Sequence, residues 1–189
     1  MKRIAILASG AGSNAENILH YFKESDEVEV TLIAKNRADA GVLSVAQTHQ
    51  VETYILTRSN FLESSVFADF LVSLGVDWIV LAGFLWKVPP SLIERFNNRI
   101  INIHPSLLPK FGGKGMYGHH VHEAVHAARE TKSGITIHYV NEHYDEGAII
   151  AQFEISIEPN DGVAGIERKV RSLEILHFPR VIEGVLTDC

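Results

Sequence analysis

The stretch IAILASGAGSNA, residues 4–15, joins a short apolar run to a glycine-rich turn and the start of a helix. Its first five residues are apolar on consecutive positions, which is typical of a parallel strand covered on both faces. Gly10 and Gly12 permit close backbone approach at the turn, and the free N–H groups of the following helix favour an anion. The stretch therefore predicts a strand–loop–helix unit that binds phosphate, with Ser13 and Asn14 as side-chain donors.

The same turn also satisfies the G-x-G-x-x-A fingerprint of dinucleotide-binding proteins. That interpretation requires an acidic residue at the end of the second strand, where this chain has Lys35, Asn36 and Arg37. NAD is therefore disfavoured, while charge alone leaves NADP open. The turn lacks G-K-[ST], so it is not a Walker A loop, and a tight turn with a Ser/Asn cap remains the structural alternative.

Apolar and amphipathic segments alternate along the first half of the chain. Strands are predicted at 4–8, 30–34, 51–56, 77–84 and 99–103. Helices are predicted at about 14–24, 40–49, 60–74 and 89–97, the last beginning at Pro89 and Pro90, a favourable helix start. This order predicts an α/β fold with an open, twisted, mostly parallel sheet and helices on both faces.

The pattern changes after residue 104. The segment PKFGGKGMYG, residues 109–118, carries four glycines in ten residues and predicts a mobile loop. A helix at about 119–131, strands at 134–140 and 148–155, and a final helix from Asp161 as N-cap to about 184 follow. We predict one domain over 1–189, with an antiparallel element in its C-terminal part.

Composition excludes several classes of protein. The chain has 189 residues, 46% hydrophobic and 21% charged, with a net charge of −6 and no long basic run, which disfavours nucleic acid and anionic membranes as partners. No stretch approaches the roughly 18 apolar residues of a membrane span, so the expected location is cytoplasmic. The single cysteine, Cys189, provides neither a disulfide nor a thiolate metal site.

A candidate catalytic segment is INIHPSLLPK, residues 101–110. Strand alternation places Asn102 and His104 on one face, and Pro105 ends the strand there. Carboxyl ends of strands are where open α/β sheets bind ligands. An amide donor beside a histidine suits acyl-type transfer, in which Asn stabilises an oxyanion and His moves a proton. A purely structural histidine before proline is the alternative.

The third candidate residue is Asp145, in YDEGAII, residues 144–150. A carboxylate in this turn is expected to pair with His104 and raise its pKa toward neutral pH. The alternative is an aspartate that only bonds its own backbone. Together, Asn102, His104 and Asp145 form a predicted catalytic triad.

The segment HEAVH, residues 122–126, matches the H-E-x-x-H pattern of zinc hydrolases. A catalytic zinc needs a third protein ligand and an open position, and Glu146 is the one conceivable ligand, in a turn that the triad already uses. We therefore expect no metal. His119 and His120, at the start of this helix, are expected to approach a bound ligand, and His122 and His126 to mark one polar face of the helix.

Four motifs, SGAGSN, LAGF, NIHPSLLPKF and HYV-x4-DEG-x-II-x-Q, occur in an order and spacing that closely resemble the folate-dependent formyltransferases. The N-terminal loop and the single-domain length resemble the phosphoribosylglycinamide formyltransferase family within them, over nearly the whole chain. The resemblance implies a Rossmann-like formyltransferase fold and transfer of formyl from 10-formyltetrahydrofolate, as co-substrate, to the amine of glycinamide ribonucleotide in de novo purine (IMP) biosynthesis. It implies a monomer or homodimer whose partners are these two small molecules.

The resemblance also implies roles for individual residues. Asn102, His104 and Asp145 correspond to the catalytic set, with residues 1–100 as the phosphate-binding half and 101–189 as the catalytic and folate-binding half. The ribonucleotide would be bound by Gly12, Ser13, Asn14 and Glu174, for which a solvated helix residue is the alternative. The folate would be bound by Leu85, Trp86, Lys87, Val88, Asn102, Asn141, Glu142, His143 and Tyr144. Trp86 alternatively serves only packing.

The chain departs from the family pattern at two places. Members often carry a folate-binding arginine in the segment after the third strand, where this chain has NFLESSVF with Ser64 near the expected position and Arg58 six residues earlier. The glycine-rich loop is also longer than in well-known members. Both departures concern the folate tail and this loop rather than the chemistry.

Overall fold

The computed structural model describes residues 1–37 and 41–187, so Cys189 and the predicted start of the second helix at residue 40 lie outside it. Its strands are β1 (Lys2–Ala8), β2 (Val28–Lys35), β3 (Glu52–Ile55), β4 (Trp78–Leu81), β5 (Ile100–His104), β6 (Lys132–Tyr139) and β7 (Ile149–Ser156). Its α-helices are α1 (Ser13–Tyr21), α2 (Val42–Thr48), α3 (Val66–Ser73), α4 (Pro90–Arg95), α5 (His119–Ala127) and α6 (Val163–Thr187). None of the helices within the described residues is long and apolar enough to cross a membrane.

All seven strands form one sheet in the order β3-β2-β1-β4-β5-β6-β7. The pairs from β3 across to β5 are parallel, and β5–β6 and β6–β7 are antiparallel. This is the mostly parallel sheet with a C-terminal antiparallel element that the sequence predicts. The strand order reverses between β1 and β4, and the carboxyl ends at such a reversal form a crevice for ligands.

Both faces of the sheet are covered, because each apolar strand buries alternate side chains in opposite directions. In β1, Ile4 and Ile6 belong to the core beneath α1, α2, α5 and α6. Ala5 and Leu7 belong to the second core, beneath α3 and α4. This double coverage explains why the first strand is apolar at consecutive positions rather than alternating.

Two predicted helices differ from the structure at their starts. The single helix expected at 60–74 is a π-helical turn, Arg58–Leu62, followed by the separate helix α3. The final helix begins at Val163 rather than directly after Asp161. The Asp161 carboxylate instead accepts hydrogen bonds from the Glu158 N–H and from Lys169, so it stabilises the preceding turn.

Candidate active site

The loop after β1 is shaped by Gly12, which has a φ of +89°. A Cβ at this position would lie 2.8 Å from the Val42 Cα, so only glycine fits between the loop and α2. No side chain caps the amino end of α1, which leaves the N–H groups of its first turn available to an anion. Ser13 and Asn14 line the adjacent cavity, whereas the buried Gly12 does not.

A cavity of about 620 Å³ opens at the carboxyl ends of β1, β4 and β5. Two hydrogen bonds join the loop after β1 to the loop after β4. The Ser9 N–H donates to the Gly83 carbonyl at 3.1 Å, and the Leu85 N–H donates to Ser9 Oγ at 3.0 Å. Asn102, His104 and Asp145 all line this cavity. The structure therefore brings the three predicted catalytic residues together at the strand-order reversal.

Asn102 is oriented by His138, its register partner across β5 and β6. His138 Nδ1 lies 2.8 Å from the Tyr139 carbonyl, which can only accept, so Nδ1 carries the proton. In the neutral ring Nε2 is then an acceptor, and the Asn102 amide donates to it at 3.0 Å. This bond uses one hydrogen of the Asn102 NH₂ group and leaves the second as a donor for a ligand.

His104 is held between the glycine-rich loop and Asp145. Its ring is 3% exposed, Nε2 donates to the Phe111 carbonyl at 2.8 Å, and Nδ1 lies 3.5 Å from Asp145 Oδ2. Asp145 Oδ2 also accepts the Gly113 N–H at 2.9 Å, and Oδ1 lies 3.7 Å from His138 Nε2. The loop thus contacts both His104 and Asp145.

The charge state of His104 differs from the sequence-based expectation. Burial lowers the pKa of His104 below its ordinary value of 6.5, and this outweighs the Asp145 charge and the Phe111 carbonyl, which raise it. Asp145 acts in the expected direction, but the expected net increase in the pKa is wrong. His104 is therefore neutral near pH 7 in the empty site.

Asp145 carries the negative charge of the cluster. Burial alone raises its pKa, but contacts with His138, the charge of His104 and the bond from the Gly113 N–H together hold the pKa below its ordinary value. Asp145 is consequently ionised over the physiological range. A proton arriving on His104 would form an ion pair with it.

The phosphate loop and α6 are joined by one side-chain bond, from Asn14 Nδ2 to Glu174 Oε2 at 2.8 Å. Glu174 lines the cavity together with Arg171 and Arg37. Burial raises the pKa of Glu174, and the Asn14 bond and the Arg171 charge oppose that rise. Glu174 is therefore a wall of the cavity and not a solvated helix residue.

The predicted folate-binding residues divide between two openings. Leu85 and Tyr144 line the large cavity. A second cavity of about 70 Å³ adjoins it and includes Trp86, Lys87, Val88, Asn102, Asn141, His143, Tyr144 and Asp145. Glu142 is exposed and lines neither opening.

The segment where the resemblance implies a folate-binding arginine is occupied differently in this chain. Ser64 Oγ donates to the Ser59 carbonyl at 2.8 Å, closing the segment between the π-helical turn and α3. Neither Ser64 nor Arg58 lines the two cavities. This segment therefore has a local structural role in the described molecule.

The HEAVH segment forms most of α5, and the expected roles of its histidines are wrong. His119 and His120 are exposed and pair with Glu167 and Glu123 rather than lining the cavity. His122 is buried and lines the cavity, while His126 is exposed, so these two do not mark one polar face. Within residues 1–37 and 41–187, no three His, Cys, Asp or Glu side chains are placed to hold a metal ion.

His138 and Arg171 belong to the site but do not stand out in the sequence, and His122 lines the cavity instead of marking a polar helix face. His138 stands in GITIHYV, which indicates only a strand, and its contact with Asn102 depends on the β5–β6 register. Arg171 lies one turn before Glu174 on α6, so the 3.6-residue period was the signal available for it. Asn102, His104, Asp145, Asn14 and Glu174 had been identified as candidates.

Comparison with known proteins places this geometry in a family. A family model described as "Formyl transferase" matches residues 2–182. A phosphoribosylglycinamide formyltransferase from Haemophilus influenzae is 37% identical over 97% of this chain and 86% of that protein. A chloroplastic one from Arabidopsis thaliana is 38% identical over 99% of this chain, which spans 66% of the plant protein.

Solved structures give the same result for the fold. The phosphoribosylglycinamide formyltransferase of Bacillus halodurans superimposes with a TM-score of 0.87 at 33% identity, covering 98% of this chain and 95% of that one. The one from Anaplasma phagocytophilum gives a TM-score of 0.90 at 29% identity, over 99% and 87% of the two chains.

The chain belongs to the formyl transferase family. The resemblance to phosphoribosylglycinamide formyltransferases and the predicted fold class are confirmed by these relatives and structures. The enzyme class, a one-carbon formyl transferase with 10-formyltetrahydrofolate as co-substrate, is confirmed as well.

Proposed function

We propose that the large cavity transfers the formyl group of 10-formyltetrahydrofolate to the amine of N1-(5-phosphoribosyl)glycinamide. The products are N-formylglycinamide ribonucleotide and tetrahydrofolate. The observation that carries the proposal is the Asn102–His104–Asp145 cluster, which lines the same cavity as Ser13 and Asn14 of the phosphate loop. The adjoining small cavity also includes Asn102 and Asp145, so both substrates can meet at this cluster.

The binding roles follow from the chemistry of each wall. The N–H groups at the start of α1, with Ser13 and Asn14, hold the phosphate, and Glu174 accepts hydrogen bonds from the ribonucleotide. Gly12 contributes by shaping this loop. Trp86, Lys87, Val88, Asn141, His143 and Tyr144 surround the pteridine ring of the folate, with Leu85 at the junction of the two cavities.

The reaction moves one proton and exchanges one bond. The neutral amine attacks the formyl carbon, and the free N–H of Asn102 stabilises the oxyanion that develops. Neutral His104 carries its proton on Nε2, so the amine proton arrives on Nδ1, where Asp145 stabilises the resulting imidazolium. Breaking the bond from carbon to N10 returns this proton to the folate nitrogen and restores neutral His104.

The Phe111 carbonyl limits the path of the proton, because it accepts the hydrogen bond from His104 Nε2. The transferred proton therefore reaches Nδ1, and leaves it again, through a water molecule beside the ring. The residues of the site supply every group in this sequence, and no metal enters it. The monomeric or homodimeric state, the cytoplasmic location and the division into halves at residue 100 stay predictions.

A direct transfer assay tests the proposal. The purified protein, glycinamide ribonucleotide and 10-formyltetrahydrofolate should give N-formylglycinamide ribonucleotide and tetrahydrofolate in equal amounts, measured by mass spectrometry. The rate should be the same with and without 1 mM EDTA (an order-of-magnitude choice, about a thousandfold above a micromolar enzyme). Absence of product would overturn the function, and loss of activity with the chelator would overturn the metal-free mechanism.

A further inference from the structure

His122 is a buried polar side chain whose ring nitrogens have no protein partner among the described residues. It is 4% exposed, lies in the first turn of α5 and lines the large cavity. Nδ1 is sealed from solvent and makes no hydrogen bond. The groups whose charges act on it are Glu167 on α6, His119 on α5 and His104 on β5.

An unpartnered histidine at this position is costly. A buried polar group without a hydrogen bond destabilises a fold, so an apolar residue would fill this place better on grounds of stability alone. Burial lowers the pKa of His122, which leaves the ring neutral near pH 7, with one N–H and one acceptor nitrogen. The ring therefore suits a neutral polar partner.

His122 borders the large cavity, and two residues of α6 that line this cavity serve as reference points. Glu174 bonds the phosphate loop through Asn14, and Glu167 lies seven residues earlier on the same helix, roughly 10 Å away at 1.5 Å per residue. His122 lines the same cavity as Glu167 and His104, whose charges act on its ring. A ligand that reaches from the phosphate loop to His104 therefore passes through the cavity that His122 lines.

We propose that His122 is a substrate-binding residue that hydrogen-bonds a ribose hydroxyl of glycinamide ribonucleotide. A hydroxyl both donates and accepts, so it matches a neutral imidazole in either tautomer. The bond is made by Nε2, because Nδ1 is sealed from solvent, and it forms only when the ribonucleotide is present. This inference rests on the proposed function and adds a contact that the sequence motifs do not indicate.

The test compares four variants by calorimetric titration with glycinamide ribonucleotide and, separately, with tetrahydrofolate. His122→Leu should weaken ribonucleotide binding about 3- to 10-fold, the range expected for one hydrogen bond, without weakening tetrahydrofolate binding or lowering the melting temperature. His122→Gln, whose amide nitrogen reaches the position of Nε2, should bind nearly as well as wild type. His122→Asn, whose amide reaches only as far as the sealed Nδ1, should bind as weakly as His122→Leu.

The matched control is His126→Leu, one turn further along α5 on an exposed residue outside the cavity lining. It should bind both ligands like wild type. Wild-type affinity in His122→Leu, or equal losses in His122→Leu and His126→Leu, would overturn the inference. If His122→Leu does not fold, equal affinity in the Gln and Asn variants would do so. Failure of the wild-type protein to bind ribonucleotide would instead overturn the proposed function.

Discussion

At the scale of single residues, His104 shows two opposing electrostatic effects on one ring. Burial favours the neutral form and the neighbouring Asp145 favours the charged form, and burial prevails in the empty site. His104 is neutral at rest and forms an ion pair with Asp145 when it is protonated. Such a base suits a reaction in which the proton is accepted and returned within one turnover. The ion pair is needed in the transition state more than at rest.

Replacing His104 by alanine should therefore reduce kcat by about 100- to 10,000-fold, the usual contribution of general acid–base catalysis. Ribonucleotide affinity should change little, because the phosphate loop and Glu174 lie on other elements. Steady-state kinetics and a separate titration measure the two effects. Near-normal turnover in His104→Ala would remove it from the mechanism.

Asp145→Asn should lower kcat at neutral pH by about 100-fold or more, since the imidazolium loses its counter-ion. Asp145 raises the pKa of His104, so the substitution lowers that pKa further. The limb of the pH–kcat profile that reports protonation of His104 should move to lower pH. Asp161→Asn, which removes a carboxylate paired with Lys169 outside the cavity, is the control and should keep the wild-type profile.

Gly12 and Gly10 form a natural pair for testing the phosphate loop. A Cβ at Gly12 would meet Val42 at 2.8–2.9 Å with φ at +89°, whereas a Cβ at Gly10 meets nothing within 4 Å. Gly12→Ala should lower the free energy of unfolding by about 1–3 kcal/mol, as overpacking and positive-φ strain do, and Gly10→Ala by much less. Urea denaturation measures both, and equal effects would contradict the close packing described for Gly12.

At the scale of elements, the strands were predicted closely because their burial is recorded in the sequence. Consecutive apolar residues predict β1, β4 and β5, and the structure differs mainly in where they end. The predicted strand 77–84 ends at Leu81 because Gly83, with a φ of +72°, turns the chain toward the Ser9 loop. An apolar run in the sequence continues from the strand into the buried residues that line the cavity, so the run does not show where the strand ends.

The helix predicted at 60–74 was wrong for a local reason. Thr57 and Asn60 bond each other's backbone N–H groups in a reciprocal cap, and this cap begins a short π-helical turn. Phe61 of this turn and Phe67 of α3 are both fully buried in the same core, so their apolar spacing matched one continuous helix. Hydrophobic periodicity cannot detect a break when both pieces pack on one surface.

A buried hydrogen-bond network supports the segment that follows His104. Thr136 on β6 is fully buried, donates to the Ser106 carbonyl at 2.7 Å, and accepts from the Leu108 N–H at 3.0 Å and from Gln152 at 2.9 Å. Thr136→Val keeps the shape and removes all three bonds. We expect it to lower the free energy of unfolding by about 2–4 kcal/mol, because polar groups are left unpaired.

Chemical denaturation measures this change, and the control is Thr53→Val on an exposed position of β3, where the effect should stay within about 0.5 kcal/mol. Thr136 is the register partner of His104, so the substitution should also reduce turnover. A Thr136→Val protein with wild-type stability would show that this network does not hold the segment.

At the scale of the whole molecule, two buried histidines predict the acid sensitivity of the fold. Burial lowers the pKa values of His104 and His122. Below about pH 6.5 these two histidines therefore bind more protons in the unfolded state than in the native state. Stability is therefore lost as the pH falls from about 6.5 toward the folded pKa values. Glu174, whose pKa burial raises, opposes this at lower pH, because its protonation favours the native state.

His122→Leu should reduce this acid loss, since it removes one of the two buried histidines whose pKa is lowered. The measurement is the free energy of unfolding at pH 7.5, 6.5 and 5.5 (points chosen around the ordinary histidine pKa of about 6.5). The wild-type protein and His126→Leu should lose more stability over this interval than His122→Leu. Parallel curves for all three proteins would show that His122 does not contribute.

The site could be predicted only as far as its residues stand in recognisable segments. The phosphate loop, Asn102 and His104 follow directly from short motifs at strand ends. Asp145 could be proposed from its turn only as a partner for His104, with a bond to its own backbone as the alternative, and Glu174 required the family resemblance. His138 and the burial of His122 depend on strand register and helix packing between segments far apart in the chain, which a single sequence does not encode in any local pattern.

The switch from parallel to antiparallel pairing at β5 has a consequence for folding. Asn102 meets His138 and His104 meets Thr136 only in the native register, because a shift of one residue moves each side chain to the opposite face. A misregistered molecule would keep its helices and strands, and hence its circular dichroism, while losing the aligned pair. The activity regained after refolding therefore measures the fraction of molecules in which β5 and β6 are paired in the native register.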